Sequence, residues 1–191
     1  MPREIVRIGL ISDTHGLLRN EAVRALRGFD HIVHAGDICD PDILVALARI
    51  APVTAVRGNN DREPWAAELP ESAMLRIEDV LLLVIHDLAA LDVDPLSVGA
   101  RVVISGHSHR PLIETRAGVL YVNPGSAGPR RFRLPIAVGQ LTIRGSSVRA
   151  RIRELCLTPP EQSVPRPTGA GTRPSPPSRP KAGASAQAPR R

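Results

Sequence analysis

The sequence is poor in cysteine, in aromatic residues and in long hydrophobic runs. Its two cysteines, Cys39 and Cys156, are too few for a disulfide framework and are not spaced as a metal-binding pair. The longest uncharged apolar run, residues 80–85, has the length of a strand and is far too short to span a membrane. The first residues also lack the apolar core of a secretory signal. These absences predict a cytoplasmic protein without a membrane anchor.

Residues 158–191 differ in composition from the rest of the chain. They hold nine of the 19 prolines, and their only aliphatic residue larger than alanine is Val164. Six basic residues against Glu161 give this segment a charge of 6 − 1 = +5, out of a formal net charge of +6. Such a segment cannot bury enough apolar surface to offset the entropy of ordering. We therefore predict a disordered tail at 158–191 and one folded domain at 1–157.

The isoelectric point of about 10.8 consequently reports the tail and not a basic docking face. No aromatic residue interleaves the arginines of the tail, in contrast to surfaces that bind single strands by stacking. We expect no nucleic-acid partner beyond a weak, salt-sensitive attraction of the tail to polyanions.

The first third of the chain has the pattern of an α/β protein. Buried strands are predicted at residues 5–12, 32–35 and 52–56. Asn20 is placed to cap a helix over residues 21–27, and Asp40 followed by Pro41 predicts a second helix over residues 41–50. Right-handed crossovers make the three strands parallel.

The remainder of the chain has the pattern of antiparallel hairpins. The predicted pairs are residues 72–78 with 80–85, 112–115 with 119–122, and 136–143 with 148–155, and a further strand is predicted at 101–105. Parallel units followed by hairpins predict an α/β fold in which two packed sheets have helices outside, a four-layer α/β/β/α sandwich.

Polar clusters follow the predicted strands in a fixed order. They are Asp13-Thr14-His15, Gly36-Asp37, Gly58-Asn59-Asn60-Asp61, His86 and Gly106-His107-Ser108-His109. A strand followed by a tight turn delivers side chains to one edge of a sheet, so the clusters can converge on one pocket. Carboxylate, amide and imidazole groups together suit borderline divalent metals such as Mn, Fe, Co, Ni or Zn.

This ordered set strongly resembles the calcineurin-like metallophosphoesterase superfamily, and most closely its small bacterial and archaeal phosphodiesterase branch. Asn123-Pro124-Gly125-Ser126 also resembles a motif of that branch, and the resemblance covers about residues 5 to 155. It implies a metallophosphoesterase-type fold with two sheets. It also implies hydrolysis of a phosphodiester, with a monoester as a further substrate, by a hydroxide that bridges two metal ions.

The resemblance further implies how the ligands divide between the metals. The first metal is expected on Asp13, His15, Asp37 and His109, and the second on Asp37, Asn59, His86 and His107. Asp37 then bridges two cations whose repulsion needs an anion between them. Manganese is the expected metal, with iron, nickel, cobalt and zinc as alternatives. The expected catalytic residues are Asp37 and Asn59, and the expected substrate contacts are Asn59 and Asn60.

The chain departs from the family pattern at two positions. Many members carry a histidine where this chain has Asn60, and an asparagine cannot protonate a leaving group near pH 7. His86 is followed by Asp87-Leu88 where the branch usually has Gly-His. We expect the first change to favour substrates with stable leaving groups and the second to alter substrate preference.

Other polar residues have structural interpretations. His31 and His34 are expected to be hydrogen-bonded core residues. Asp61 is expected to cap a short helix over residues 62–68 rather than to act in the site. Gly58 and Gly106 are expected to occupy tight turns.

For two further features, both interpretations stay open. Cys39 lies two residues beyond Asp37, where packing is favoured over a place around a metal. Gly125 and Ser126 either form a structural turn or contact phosphate through their backbone N–H groups.

Two classes of function follow. The first is a metal-dependent phosphoesterase whose substrate is a small phosphoester or a nucleotide. The second is a protein-binding scaffold without catalysis, because the family fold resembles that of a vacuolar-sorting subunit of retromer. The intact set of ligands favours the enzyme, since buried polar groups are costly unless they are used.

Overall fold

A computed structural model describes residues 4–157 of the chain, and the predicted tail at 158–191 lies outside the described residues. Ten strands and two α-helices are described. In chain order they are β1 (Val6–Ile11), α1 (Asn20–Ala25), β2 (His31–His34), α2 (Pro41–Ala48), β3 (Val53–Ala55), β4 (Ser72–Ile77), β5 (Val80–Ile85), β6 (Ala100–Ile104), β7 (Leu112–Arg116), β8 (Val119–Asn123), β9 (Ala137–Arg144) and β10 (Ser147–Glu154). Short 3-10 helices lie at Pro64–Glu68 and Leu88–Ala90.

The first sheet has the strand order β10-β9-β1-β2-β3. β1, β2 and β3 are parallel, as predicted from the alternation of strands and helices. Leu10 of β1 lies opposite Val33 of β2 on one side and Gly139 of β9 on the other. The β9–β10 hairpin therefore extends the parallel unit with two antiparallel strands.

The second sheet has the strand order β4-β5-β6-β8-β7. Its two hairpins, β4–β5 and β7–β8, lie where the sequence predicts them. β6 is inserted between them and pairs in parallel with both β5 and β8, so this sheet is also mixed. The parallel pairings were not predicted, because nothing local in the sequence specifies which distant strands meet.

The main core lies between the two sheets. Its buried side chains include Ile8 and Leu10 of β1, Leu82 of β5 and Ile104 of β6. Alternate residues of each strand point to this face, and the residues between them point to the outer face. A strand that is buried on both faces therefore needs apolar residues at nearly every position.

The outer faces of the two sheets are covered differently. A second apolar cluster, which includes Leu26 and Leu47, packs α1 and α2 against the first sheet. Leu88, Leu91 and Val98 cover the second sheet, and the only helical element among them is the 3-10 turn at Leu88–Ala90. The predicted α/β fold with two packed sheets is confirmed.

The starts of two of the three predicted helices differ from the structure, and the third agrees. α1 begins at Asn20 itself, and its N-cap is Arg19, whose side chain makes no capping hydrogen bond. The predicted Asp40 cap is confirmed, since its carboxylate accepts a hydrogen bond from the N–H of Asp42 at 2.9 Å. The predicted helix at 62–68 is a 3-10 helix at Pro64–Glu68 whose N-cap is Glu63, so the predicted capping role of Asp61 is wrong.

Within residues 4–157, neither helix has the length or apolar character needed to cross a membrane.

Candidate metal centre

The predicted ligands lie just beyond the carboxyl ends of five strands. Asp13 follows β1, Asp37 follows β2, Asn59 follows β3, His86 follows β5 and His107 follows β6. In each sheet the strands concerned are parallel neighbours, so their carboxyl ends share one edge. The packing of the two sheets then brings both edges to one site.

Five predicted ligands have a left-handed backbone conformation. The φ angles are 54° at Asp13, 46° at His15, 56° at Asp37, 64° at His107 and 57° at His109. L-residues other than glycine adopt this region at a cost, and such residues cluster at functional sites. The Asp13/His15 and His107/His109 pairs therefore converge through left-handed turns, whereas an extended strand exit was the expected cause.

The first group of donor atoms comes from Asp13, His15 and His109. The Nε2 atoms of His15 and His109 are 3.2 Å apart, and Asp13 Oδ1 lies 4.0 Å and 3.3 Å from them respectively. Two donors that share a cation at about 2.1 Å are themselves about 3.0–3.5 Å apart. The structure thus brings together three of the four ligands that were expected for the first metal.

The second group comes from Asn59, His86 and His107. Asn59 Oδ1 lies 3.1 Å from His86 Nε2 and 3.0 Å from His107 Nδ1. These three donor atoms again face one another at separations that suit a shared cation. They are three of the four ligands that were expected for the second metal.

Asp37 lies between the two groups. Its Oδ2 is 3.7 Å from His15 Nε2, and its Oδ1 is 3.5 Å from His86 Nε2. Asn60 holds this carboxylate in place, because its backbone N–H donates to Oδ1 at 2.8 Å and its side-chain amide donates to Oδ2 at 2.7 Å. Asp13 is close to both groups as well, since its carboxylate lies within 4.8 Å of donor atoms of Asp37 and His86.

The two aspartates differ in their electrostatic environment. Burial raises the pKa of Asp13 to about 7. Burial also acts to raise the pKa of Asp37, but hydrogen bonds from His86 and Asn60 outweigh it and hold the pKa well below the usual range. Asp37 is therefore a permanent anion at the centre of the site.

The histidines also have shifted pKa values. Burial lowers the pKa of His15, and it lowers that of His109 to about 4, with the nearby positive charge of Arg131 acting in the same direction. Burial opposes the charging of His86, but its contacts with Asp37 and the Ala35 carbonyl raise its pKa overall. His15 and His109 are thus neutral imidazoles, the form that binds metals.

Two features fit these residues to a bound cation. His86 Nδ1 lies 2.7 Å from the carbonyl oxygen of Ala35, to which it donates, so Nε2, which faces Asn59 Oδ1, is the ring nitrogen left to bind a cation once its proton is lost. Asp13 Oδ1 is a buried oxygen without a hydrogen-bond partner, and it faces the Nε2 atoms of His15 and His109. A cation bound here would take the place of the proton on His86 and would give the unpaired Asp13 oxygen a partner.

Polar side chains around the site tie the ligand loops together. Asp61 is buried and accepts hydrogen bonds from the N–H groups of Cys39 and Gly58, both at 2.7 Å, which is its role in place of the predicted cap. The Ser126 hydroxyl donates to the Asp13 carbonyl at 2.9 Å, and the Asn123 amide donates to the Gly106 carbonyl at 2.6 Å. The Asn-Pro-Gly-Ser motif therefore holds the Asp13 and His107 loops in place by hydrogen bonds to their backbone carbonyls.

The remaining predicted structural residues lie close to these loops. His34 is fully buried, its Nε2 is 3.0 Å from the Thr14 hydroxyl, and burial lowers its pKa to about 3. His31 is half-buried and lies 2.8 Å from the Thr54 hydroxyl. Cys39 Sγ lies 3.9 Å from His15 Nδ1, and burial together with Asp61 raises its pKa to about 11. The expected hydrogen bonding of both histidines is confirmed.

Sequence reasoning missed two side chains that reach the site. Asp87 Oδ2 lies 3.7 Å from His107 Nε2, and Arg131 Nη2 lies 3.4 Å from His15 Nε2. Asp87 was noted only as a departure from the family pattern. The signal for Arg131 was the basic run Arg130-Arg131-Phe132-Arg133 between two predicted strands, but its proximity to His15 depends on contacts 116 residues apart.

Two packed mixed sheets with carboxylates and imidazoles gathered at their strand ends place the chain among α/β proteins with a candidate metal-binding site. The chain belongs to the calcineurin-like phosphoesterase superfamily, whose domain model matches residues 6–146. This confirms the family that the motifs resemble. The family uses divalent metal ions, and the residues described above include candidate ligands for them.

Named relatives and solved structures agree with this assignment. The chain is 38% identical over 157 residues to a probable metallophosphoesterase of Methanothermobacter thermautotrophicus, with 76% of this chain and 90% of the relative covered. It is 28% identical to a phosphodiesterase of Methanocaldococcus jannaschii, with 63% and 83% covered. Vacuolar protein sorting 29 from Cryptosporidium parvum has the same fold, with a TM-score of 0.69, 18% identity, and 80% and 92% covered.

Proposed function

We propose that the chain is a phosphodiesterase with two divalent metal ions, manganese first among them, and that it also accepts phosphomonoesters. The observation that carries this proposal is the position of Asp37, whose two carboxylate oxygens face different groups of donor atoms. A carboxylate that offers one oxygen to each of two cations is the bridge that a two-metal site requires. The low pKa of Asp37 supports that role, because the bridge must stay anionic.

The seven ligands are assigned as the resemblance implied. Asp13, His15, Asp37 and His109 would hold the first ion, and Asp37, Asn59, His86 and His107 the second. When bound, such ions lower the pKa of water to near neutrality and neutralise charge on a phosphoryl group.

Asn59 and Asn60 have separate roles in this proposal. Asn59 Oδ1 faces His86 and His107, so its amide N–H groups are left to donate to a phosphoryl oxygen and to stabilise developing charge. Asn60 donates its backbone N–H and its side-chain amide to Asp37 and thereby positions the bridge. With its amide engaged there, Asn60 supplies no proton to a leaving group, which favours substrates whose leaving groups are stable anions.

The second candidate function is a non-catalytic scaffold, which the similarity in fold to vacuolar protein sorting 29 favours. Against it stands the cost of the site in a protein that does not use it. Five ligands in left-handed conformations and a buried, unpaired carboxylate oxygen each destabilise the fold unless a ligand compensates.

One experiment separates the two functions. The full chain is purified without chelators, its metals are counted by mass spectrometry, and hydrolysis of bis(p-nitrophenyl) phosphate and p-nitrophenyl phosphate is measured with added Mn²⁺. We expect two metals per chain and faster hydrolysis of the diester. His107→Ala should lose activity and metal, whereas His31→Ala, which removes a histidine outside the site, should keep both. A wild-type protein that binds no metal and hydrolyses neither ester would favour the scaffold.

Metal binding should release protons and weaken in acid. With a pKa of about 7 in the metal-free protein, Asp13 is largely protonated below pH 7 and must lose its proton before it can bind a cation. We expect the affinity for Mn²⁺ to fall by about tenfold for each pH unit below 7. Above pH 8 the affinity should change little with pH. Calorimetric titration at pH 6, 7 and 8, in buffers that differ in ionisation enthalpy, measures both quantities. An affinity that does not vary between pH 6 and 8 would contradict the assignment of Asp13.

Asp87 should act as a positioning residue for His107. Its negative charge, 3.7 Å from His107 Nε2, favours a proton on that nitrogen and so leaves Nδ1 free to bind a cation. In the wild type, Asp87 Oδ1 accepts a hydrogen bond from the N–H of Ala89 at 3.0 Å. In Asp87→Asn, the amide oxygen keeps this hydrogen bond, so the NH2 group turns towards His107. We expect binding of the second Mn²⁺ to weaken by about 10–100-fold.

The matched control for this variant is Asp94→Asn. Asp94 Oδ1 accepts a hydrogen bond from the N–H of Leu96, two residues on, in the same way as Asp87 does, and Asp94 is also exposed. Calorimetry should show wild-type affinity in Asp94→Asn. Equal affinities in both variants would remove Asp87 from the site.

A further inference from the structure

The loop between β8 and β9 places a basic side chain at the edge of the metal centre. Arg131 Nη2 lies 3.4 Å from Nε2 of His15, a proposed ligand of the first ion. A guanidinium beside a site built for divalent cations is repelled unless an anion lies between them. Its planar fork of donors is suited to bind two oxygens of one phosphoryl group.

The next residue, Phe132, is unusual in both its exposure and its backbone. Its side chain is 93% exposed, although the whole chain has only two phenylalanines, one tyrosine and one tryptophan. Its φ angle of 52° is in the left-handed region, which is unfavourable for a bulky residue. Phe132 is thus an exposed aromatic residue in a strained conformation, one position along the chain from a side chain that reaches the metal centre, and it is a candidate for ligand binding.

The other side of the centre has the opposite charge. A cavity of about 440 Å³ adjoins Asn59 and His86 and is lined by Glu71, Asp87 and Asp92. Arg57, which also lines it, is paired with Glu71 at 2.5 Å. The negative charge of this cavity repels an anionic substituent, so the charged portion of a substrate is expected on the side of Arg131.

We propose that Arg131 and Phe132 bind the nucleoside monophosphate part of a phosphodiester, with Arg131 on a phosphoryl oxygen and Phe132 stacked on the base. This part keeps the attacked phosphorus, gains an oxygen from water and is released as a nucleotide, while the other ester oxygen departs with its substituent as an alcohol. The inference rests on the proposed phosphodiesterase function and narrows its substrate to a nucleotide-type phosphoester. Stacking on an aromatic side chain is open to any base, because every base has a π-face. The site therefore selects for a planar base without selecting strongly among the four.

The test compares AMP with ribose 5-phosphate, two phosphate monoesters that differ by the presence of a base. Binding of each to the Mn²⁺-loaded full chain is measured by calorimetry, and inhibition of bis(p-nitrophenyl) phosphate hydrolysis is measured in parallel. We expect AMP to bind about tenfold more tightly than ribose 5-phosphate. Phe132→Ala should abolish that difference by weakening AMP alone, and Phe132→Tyr should restore it.

Arg131 is separated from Phe132 by its effect on both ligands. Arg131→Ala should weaken AMP and ribose 5-phosphate by a similar factor of about ten, because the contact is with the phosphate that they share. Arg133→Ala, which removes the same charge from the same loop, should change neither. Equal binding of the two ligands by the wild type, or wild-type binding by Phe132→Ala, would overturn the proposal.

Failure of the two proposals is distinguishable. An active enzyme that binds AMP and ribose 5-phosphate equally overturns the assignment of Arg131 and Phe132 and leaves the phosphodiesterase in place. A metal-loaded chain that hydrolyses no phosphoester overturns the phosphodiesterase and, with it, the role of the loop in substrate recognition.

Discussion

Asp37→Asn should lower phosphodiester hydrolysis by at least about a thousandfold and reduce bound metal from two ions to one or none. The variant removes the negative charge that lies between the His15 and His86 sides of the site. It also turns an NH2 group towards one of the two hydrogen-bond donors of Asn60, where two donors cannot satisfy each other. Metal content by mass spectrometry and kcat/KM with added Mn²⁺ measure the two effects.

Asp42→Asn is the control for this variant. Asp42 is an exposed aspartate in the first turn of α2, only five residues further along the chain, and it lies outside the metal centre. It should keep its metals and its activity, with a loss of stability of a few tenths of a kcal/mol from the helix terminus. If Asp37→Asn retained two metals and a tenth of wild-type activity, Asp37 would not be the bridge.

The positions of the expected ligands were accessible from the sequence because they depend on local signals. Apolar runs define where the strands end, and the residues that follow must lie at a sheet edge. Asp13, Asp37 and Asn59 therefore follow parallel strands of the first sheet, and His86 and His107 follow parallel strands of the second. The hairpins were predictable for the same reason, since each depends on one turn.

The rest of the site depends on contacts between distant parts of the chain. The left-handed φ angles of Asp13 and Asp37 have no local signature, because neither residue is a glycine. Asp61 had the sequence context of a helix cap, but the Cys39 N–H, 22 residues away, competes for its carboxylate. Arg131 reaches His15 because its loop leads into β9, which pairs antiparallel with β1 and so begins beside the carboxyl end of β1. Tertiary contacts of this kind override local preference.

For Gly58, the sequence predicts the turn correctly but does not predict why glycine is needed there. It begins a turn, as expected, because its carbonyl accepts a hydrogen bond from the Asp61 N–H at 3.2 Å. Its φ is not positive, however, so the turn itself tolerates other residues. The requirement comes from Asp37, whose backbone nitrogen and Oδ1 occupy the space that a Cβ at position 58 would fill.

Gly58→Ala should therefore disable the site through Asp37. The added methyl group would meet the backbone nitrogen, Oδ1 and, at 2.9 Å, the Cα of Asp37, and backbone atoms cannot rotate away. Gly58 cannot retreat either, because its N–H is bonded to the buried Asp61 at 2.7 Å. We expect a loss of about 2–3 kcal/mol in the free energy of unfolding and about a hundredfold loss in kcat/KM, since a misplaced bridge is as damaging as a weak one.

Gly118→Ala separates this effect from the general cost of replacing a glycine. Gly118 has a φ of +83° in the β7–β8 turn, and a Cβ there would meet no atom within 4 Å. Alanine should cost about 1 kcal/mol of stability from the left-handed backbone alone, with metal content and kcat/KM unchanged.

Urea unfolding of both variants in EDTA and in Mn²⁺ distinguishes the two mechanisms. The gain in stability from Mn²⁺ should be full in Gly118→Ala and much reduced in Gly58→Ala, because in the latter the misplaced carboxylate binds the metal poorly. A full gain in stability from Mn²⁺ in both variants would mean that contact with Asp37 is not the reason that position 58 needs glycine.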